Sequence, residues 1–140
     1  MSDGQTEDRF LKKIPLKNGL SLEFFDASRK LAGDRWRVTL IAVIHIPVRE
    51  IWNARNIAGI LLSDLLAVIG EEAIYQKKME RNFIDEKEKD SVLASMEDSL
   101  SSSQLSYLSH GEFPIRFILK TYRDLFQKKT WYPGVSPDKD

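Results

Sequence analysis

From Trp36 to Ile46 the chain alternates strictly, and no other stretch constrains the fold as much. Trp36, Val38, Leu40, Ala42, Ile44 and Ile46 fall on one side of an extended strand, and Arg37, Thr39, Ile41, Val43 and His45 fall on the other. Successive side chains of a strand point to opposite faces. One face is therefore wholly apolar, and the other is apolar only in its middle. A strand of this kind sits centrally in a sheet that is covered on one side and partly on the other. Pro47 cannot donate to a ladder and ends it.

A second period-2 run precedes it. Leu20, Leu22 and Phe24 alternate with Ser21 and Glu23 after a turn at Asn18-Gly19, which reads as a half-buried strand. Ile14-Pro15-Leu16 supplies its partner, with the proline confining that partner to an edge. Asp26 to Asp34 reads as a linker closed by Gly33-Asp34.

Beyond the long strand the period changes. Asn53 to Ile69 reads as a helix with Ile57, Leu61, Leu65 and Val68 in one apolar line and Gly70 as its stop. Residues 71–84 fit a charged edge strand, with a helix as the alternative. Asp85 and Glu88 have capping-box spacing. They open a helix that buries Val92, Leu93, Met96 and Leu100 and either frays at the serines after Ser99 or resumes through Leu105 and Leu108. Pro114 then starts a helix whose stripe is Ile115, Ile118, Leu119, Tyr122, Leu125 and Phe126. Trp131 and Tyr132 are expected to fold back as an anchor.

Strands first and helices later give an α+β domain. We expect a small, mainly antiparallel sheet, made of an N-terminal hairpin and a third strand, with about three helices on one face. The expected organisation is one globular domain over 10–132, between flexible tails at 1–9 and 133–140. Its 140 residues, 42% of them hydrophobic, suffice for a core without staples.

Composition removes several functions. The absence of cysteine excludes disulfides, thiolate metal sites and a cysteine nucleophile. No glycine loop for nucleotide phosphates is present. His45 and His110 lack zinc-ligand spacing, and Asp85, Glu86, Glu88 and Asp90 lack the order of a calcium loop. Neither a metal nor another cofactor is expected, and no catalytic residue is assigned. The polar start and the shortness of the apolar run 57–69 point to a soluble, cytoplasmic chain without a membrane span.

Two surfaces carry candidate binding residues. Arg29, Lys30 and Arg35 cluster around the 26–36 segment, and with His45 they form a candidate site for a small anionic ligand. Arg116, Lys120, Arg123 and Trp131 form a candidate interaction surface on the last helix. The leading expectation is a non-catalytic module that contacts a protein partner or a second copy of itself. A small anion binder or enzyme comes next, and nucleic-acid contact through the basic helix is a distant third. The formal net charge of zero, from 21 basic and 21 acidic side chains, argues against general polyanion binding. That total hides a local excess of acid over 71–98 and of base over 112–131.

Overall fold

The computed structural model describes residues 8–53 and 59–131. The chain is α+β. Among the described residues the strands are β1 (Arg9–Pro15), β2 (Ser21–Asp26), β3 (Arg29–Ala32), β4 (Arg35–Pro47) and β5 (Glu72–Asp85). The helices are α1 (Val48–Trp52), α2 (Leu62–Val68), α3 (Lys89–Ser109) and α4 (Phe113–Trp131). The described residues form two compact units. The first comprises the chain up to Ile44 together with Tyr75–His110, and the second comprises His45–Ile74 and the chain from Gly111.

In the first unit β1 pairs with β2, β2 and β3 pair with β4, and β5 also joins β4. β2 and β3 lie along β4 in one antiparallel register. Phe24 is opposite Ala42, Asp26 opposite Leu40, Arg29 opposite Arg37 and Lys30 opposite Trp36. Residues 26–34 are therefore not a linker, because β3 prolongs the hairpin of β2. The strand is interrupted at Ala27-Ser28, where local donors are satisfied, and the register slips once more between Lys30 and Ala32. The Ala27 N–H donates to the Thr39 carbonyl at 2.9 Å, and the Thr39 N–H donates to the Ser28 hydroxyl at 3.1 Å. A side-chain oxygen replaces the carbonyl that a regular ladder would supply. Gly33, at φ +54°, makes the turn into β4.

Leu22, Phe24, Val38, Leu40 and Ala42 form the buried apolar face of this sheet. Leu93, Met96, Leu100 and Leu108 are the buried residues of α3, on a stripe of helical period. Three ties set the path of α3. The Lys89 ammonium lies 4.9 Å from the centroid of the Trp36 ring, at the start of β4. Lys12 of β1 pairs with Glu97 at 3.0 Å. The Asn18 amide, in the β1–β2 turn, donates to the carbonyls of Leu108 at 2.8 Å and His110 at 2.9 Å. α3 runs unbroken through its serines. Buried Leu100 and Leu108 hold both sides of them, and Ser103 returns its hydroxyl to the Ser99 carbonyl at 2.9 Å.

The edge-strand reading of 71–84 agrees with β5. β1 begins at Arg9, further back than Ile14-Pro15-Leu16 alone would suggest. Residues 1–7 lie outside the described residues.

The second unit corrects the expected helix over Asn53–Ile69. The helical segments are Val48–Trp52 and Leu62–Val68, and 54–58 lie outside the described residues. The physical reason starts at Trp52. Its ring is fully buried, and its indole N–H donates to the Ile60 carbonyl at 3.0 Å. Asn53, at φ +45°, leaves the helical path immediately after it. Val48, Leu65, Phe113, Ile115 and Ile118 are also buried, and α4 touches both α1 and α2. α4 continues through Trp131, so that residue extends the helix and does not fold back. Tyr132 and 133–140 lie outside the described residues.

Candidate functional site

The site grows from the less apolar face of β4. Arg37, Thr39 and Ile41 point away from the face that carries Val38, Leu40 and Ala42. Farther along this outer face the sheet is covered by its own aromatics. Phe25 lies opposite Ile41, and Phe10 stacks edge-on to Phe25 with centroids 5.6 Å apart. Next to that patch the face opens into a depression of about 280 Å³. Ala27, Arg29, Arg37, Thr39 and Ile41 line it from β4 and the neighbouring segment, Lys78 and Glu80 from β5, and Asp8 from just before β1.

Its charges are unevenly compensated. Lys78 and Glu80 pair at 3.3 Å. Arg29 and Arg37 are direct cross-strand partners. Like charges placed so oppose sheet formation. Both bond to neutral groups: Arg37 Nε donates to Asn82 Oδ1 at 3.1 Å, and Arg29 donates to the Ser28 carbonyl at 3.4 Å. Among the described residues neither guanidinium forms an ion pair. Thr39, between them and Ile41 on the floor, is only 2% exposed. Its hydroxyl has no hydrogen-bond partner among the described residues.

One wall, at Ala27, is held from the opposite face by Asp26, which lies beside Leu40. Its carboxylate accepts from the Ser28 N–H and from Arg9, each at 2.9 Å. Burial pushes the Asp26 carboxyl up. The Ser28 hydroxyl and N–H, the Arg9 guanidinium and the charge of Lys89 outweigh burial and hold it below the usual carboxylate range. Ser28 thus links Asp26 to the backbone of Thr39, so the wall and the floor are fixed by one polar network.

Of the four residues predicted for an anionic ligand, the structure brings Arg29 to this depression. Lys30 is its neighbour on the strand and points to the other face, opposite Trp36. Arg35 is engaged elsewhere, 3.4 Å from Asp85 and 3.8 Å from Asp34. It belongs to a tie that also includes the Glu86 N–H on the Asp34 carbonyl at 2.8 Å. His45 belongs to the second unit, with its Nδ1 3.2 Å from Glu72 Oε1. Arg37, Thr39 and Lys78 were not singled out from the sequence. On α4, Arg116, Lys120 and Arg123 are exposed and share a face by helical spacing, and Lys120 pairs with Asp124 at 3.0 Å. Trp131 is the last residue of that helix.

No protein-family model, curated protein or solved structure matches the chain. Among the described residues no three His, Asp or Glu side chains gather as a metal would need. No helix among them is long and apolar enough to cross a membrane.

Proposed function

We propose that this chain is a small binding module that takes a phosphate or carboxylate group in the depression lined by Arg29, Arg37, Thr39 and Lys78. The observation that carries the reading is the Arg29–Arg37 pair. The two arginines are direct cross-strand partners, and among the described residues neither guanidinium is ion-paired. An anion between them would convert a repulsive pair into two charge-assisted contacts, for which the planar fork of arginine is well suited. The Thr39 hydroxyl would donate the third bond from the floor, and Lys78 would add a point charge at the rim. Among the described residues the lining offers a single hydroxyl and no imidazole, which suits holding a ligand and not breaking one.

Isothermal titration with inorganic phosphate and with succinate tests this. Wild type is expected to bind at least one of them, with affinity falling as salt rises. Arg29→Thr and Arg37→Thr are expected to lose binding and to gain about 0.2–1 kcal/mol of stability without ligand, because each removes a like-charge pair. Wild type inert to both probes, or variants less stable than wild type in ligand-free buffer, would refute the reading.

A further inference from the structure

We propose that two copies of this chain pair edge to edge through β5, antiparallel, about a two-fold axis at Met79. β5 joins β4, and among the described residues no other strand joins it. It is 14 residues long, and Gln76, Lys77, Lys78, Glu80, Arg81 and Asn82 are all exposed. A long open edge invites pairing, and charges along it determine which pairings are rejected.

Symmetry leaves few registers for a second copy. In an antiparallel pair of identical strands, facing residues lie on the same side of the sheet. The two-fold axis must then pass through a residue and not between two. The charges choose among the candidates. An axis at Lys77, Lys78 or Arg81 sets a cation against its own copy, and one at Glu80 sets carboxylate against carboxylate. An axis at Met79 brings two thioethers together. It also sets Lys78 of each copy opposite Glu80 of the other, and Gln76 opposite Asn82. Lys78 and Glu80 already lie 3.3 Å apart within one chain, so four charges alternate around the axis. Lys77 opposite Arg81, which the two-fold also repeats, is the repulsive pairing, and both side chains are exposed and can spread into solvent. Phe83, at φ +58°, leaves the extended path and bounds the paired run on that side. The zero net charge of the chain removes long-range repulsion between copies.

This pairing does not depend on the anion reading, and mass and cross-linking read it out directly. Light scattering after size exclusion of the full chain is expected to show a dimer. Lys78→Glu and Glu80→Lys are each expected to weaken it by about tenfold or more. An equal mixture of the two variants is expected to dimerise again, because every facing charge pair is then opposite. The chain has no cysteine, so Met79→Cys gives one thiol per copy, both on the axis. Mild oxidation should link it as a dimer. Lys77→Cys should stay unlinked, since its two copies stand about 13 Å apart at about 3.3 Å per residue, beyond the reach of a disulfide. A wild-type monomer at every concentration overturns the proposal. So does a dimer that is indifferent to the charge reversals, or one in which Lys77→Cys links as readily as Met79→Cys.

Discussion

Replacing Asp26 with Asn puts the polar network behind the depression to a quantitative test. The Asp26 side chain is 7% exposed and accepts from the Ser28 N–H and the Arg9 guanidinium, with the Ser28 hydroxyl also favouring its charge. An amide has one acceptor oxygen and one NH2. It can satisfy one donor and must present hydrogens to the other. Arg9 is 61% exposed, so water replaces what it loses, and its pair with Asp26 contributes only ~0–1 kcal/mol. The Ser28 N–H is less accessible, and the amide oxygen turns to it. The bond survives without its charge, at a cost of about 1 kcal/mol. The expected loss at neutral pH is then about 1–2 kcal/mol. With a urea slope of about 2 kcal/mol/M, the unfolding midpoint falls by roughly 0.5–1 M.

The pH dependence of that loss has a definite sign. The folded carboxyl titrates below its unfolded value, so its contribution is fully present above the unfolded value of about 3.9. It disappears as the pH falls through the lower folded value. Urea unfolding followed by circular dichroism at about pH 7 and at two points below about pH 4 measures it. The gap between wild type and Asp26→Asn should be widest at neutral pH and close on acidification. A gap below about 0.5 kcal/mol at neutral pH, or one that acid leaves unchanged, would show that the carboxylate charge does not hold this wall.

Two further substitutions probe the frame around the site. Asn18→Ala removes the amide that holds the carbonyls of Leu108 and His110 and the oxygen that accepts from the Leu20 N–H. Chemical denaturation should report a loss of about 1–3 kcal/mol, with the amides at the end of α3 exchanging faster. Phe83→Gly should stabilise the chain by about 0.5–1 kcal/mol. It relieves about 1–2 kcal/mol of left-handed strain at the cost of about 0.5–1 kcal/mol in backbone entropy, and the ring, 74% exposed, contributes little burial. A lower thermal midpoint for this variant would show that the ring has a partner.

The long strand was legible because its apolar face has no interruption from Val38 to Ile46. The same regularity found β2, and the charged edge strand was readable in Lys77 and Arg81. The misreadings share one cause, which is side-chain chemistry acting on the backbone at a distance. Asp26-Ala27-Ser28 looks like loop composition, and locally it breaks the ladder. Ser28 and Asp26 repair the break with their own oxygens, so β3 resumes in register. The interruption after Trp52 is likewise decided by an indole that reaches Ile60, eight residues along. Helical periodicity carries no record of that bond.

The candidate site was half legible for the same reason. Arg29 stood out as a cation in an apparent loop, and Arg35 and Lys30 stood out with it. Taking Gly33-Asp34 as the turn of a hairpin would have set Ala32 opposite Arg35 but Lys30, not Arg29, opposite Arg37, because only the register shift between Lys30 and Ala32 brings Arg29 there. It would also have left Arg35 beside the turn, where Asp34 and Asp85 hold it. The composition sum of zero conceals this arrangement, because whole-chain neutrality says nothing about two like charges set side by side. A sheet gains nothing from that pair on its own account. Threonine at either position would suit the strand better. On the proposed reading, a local cost of this kind, over a buried hydroxyl without a partner among the described residues, would be offset when the missing charge arrives with a ligand.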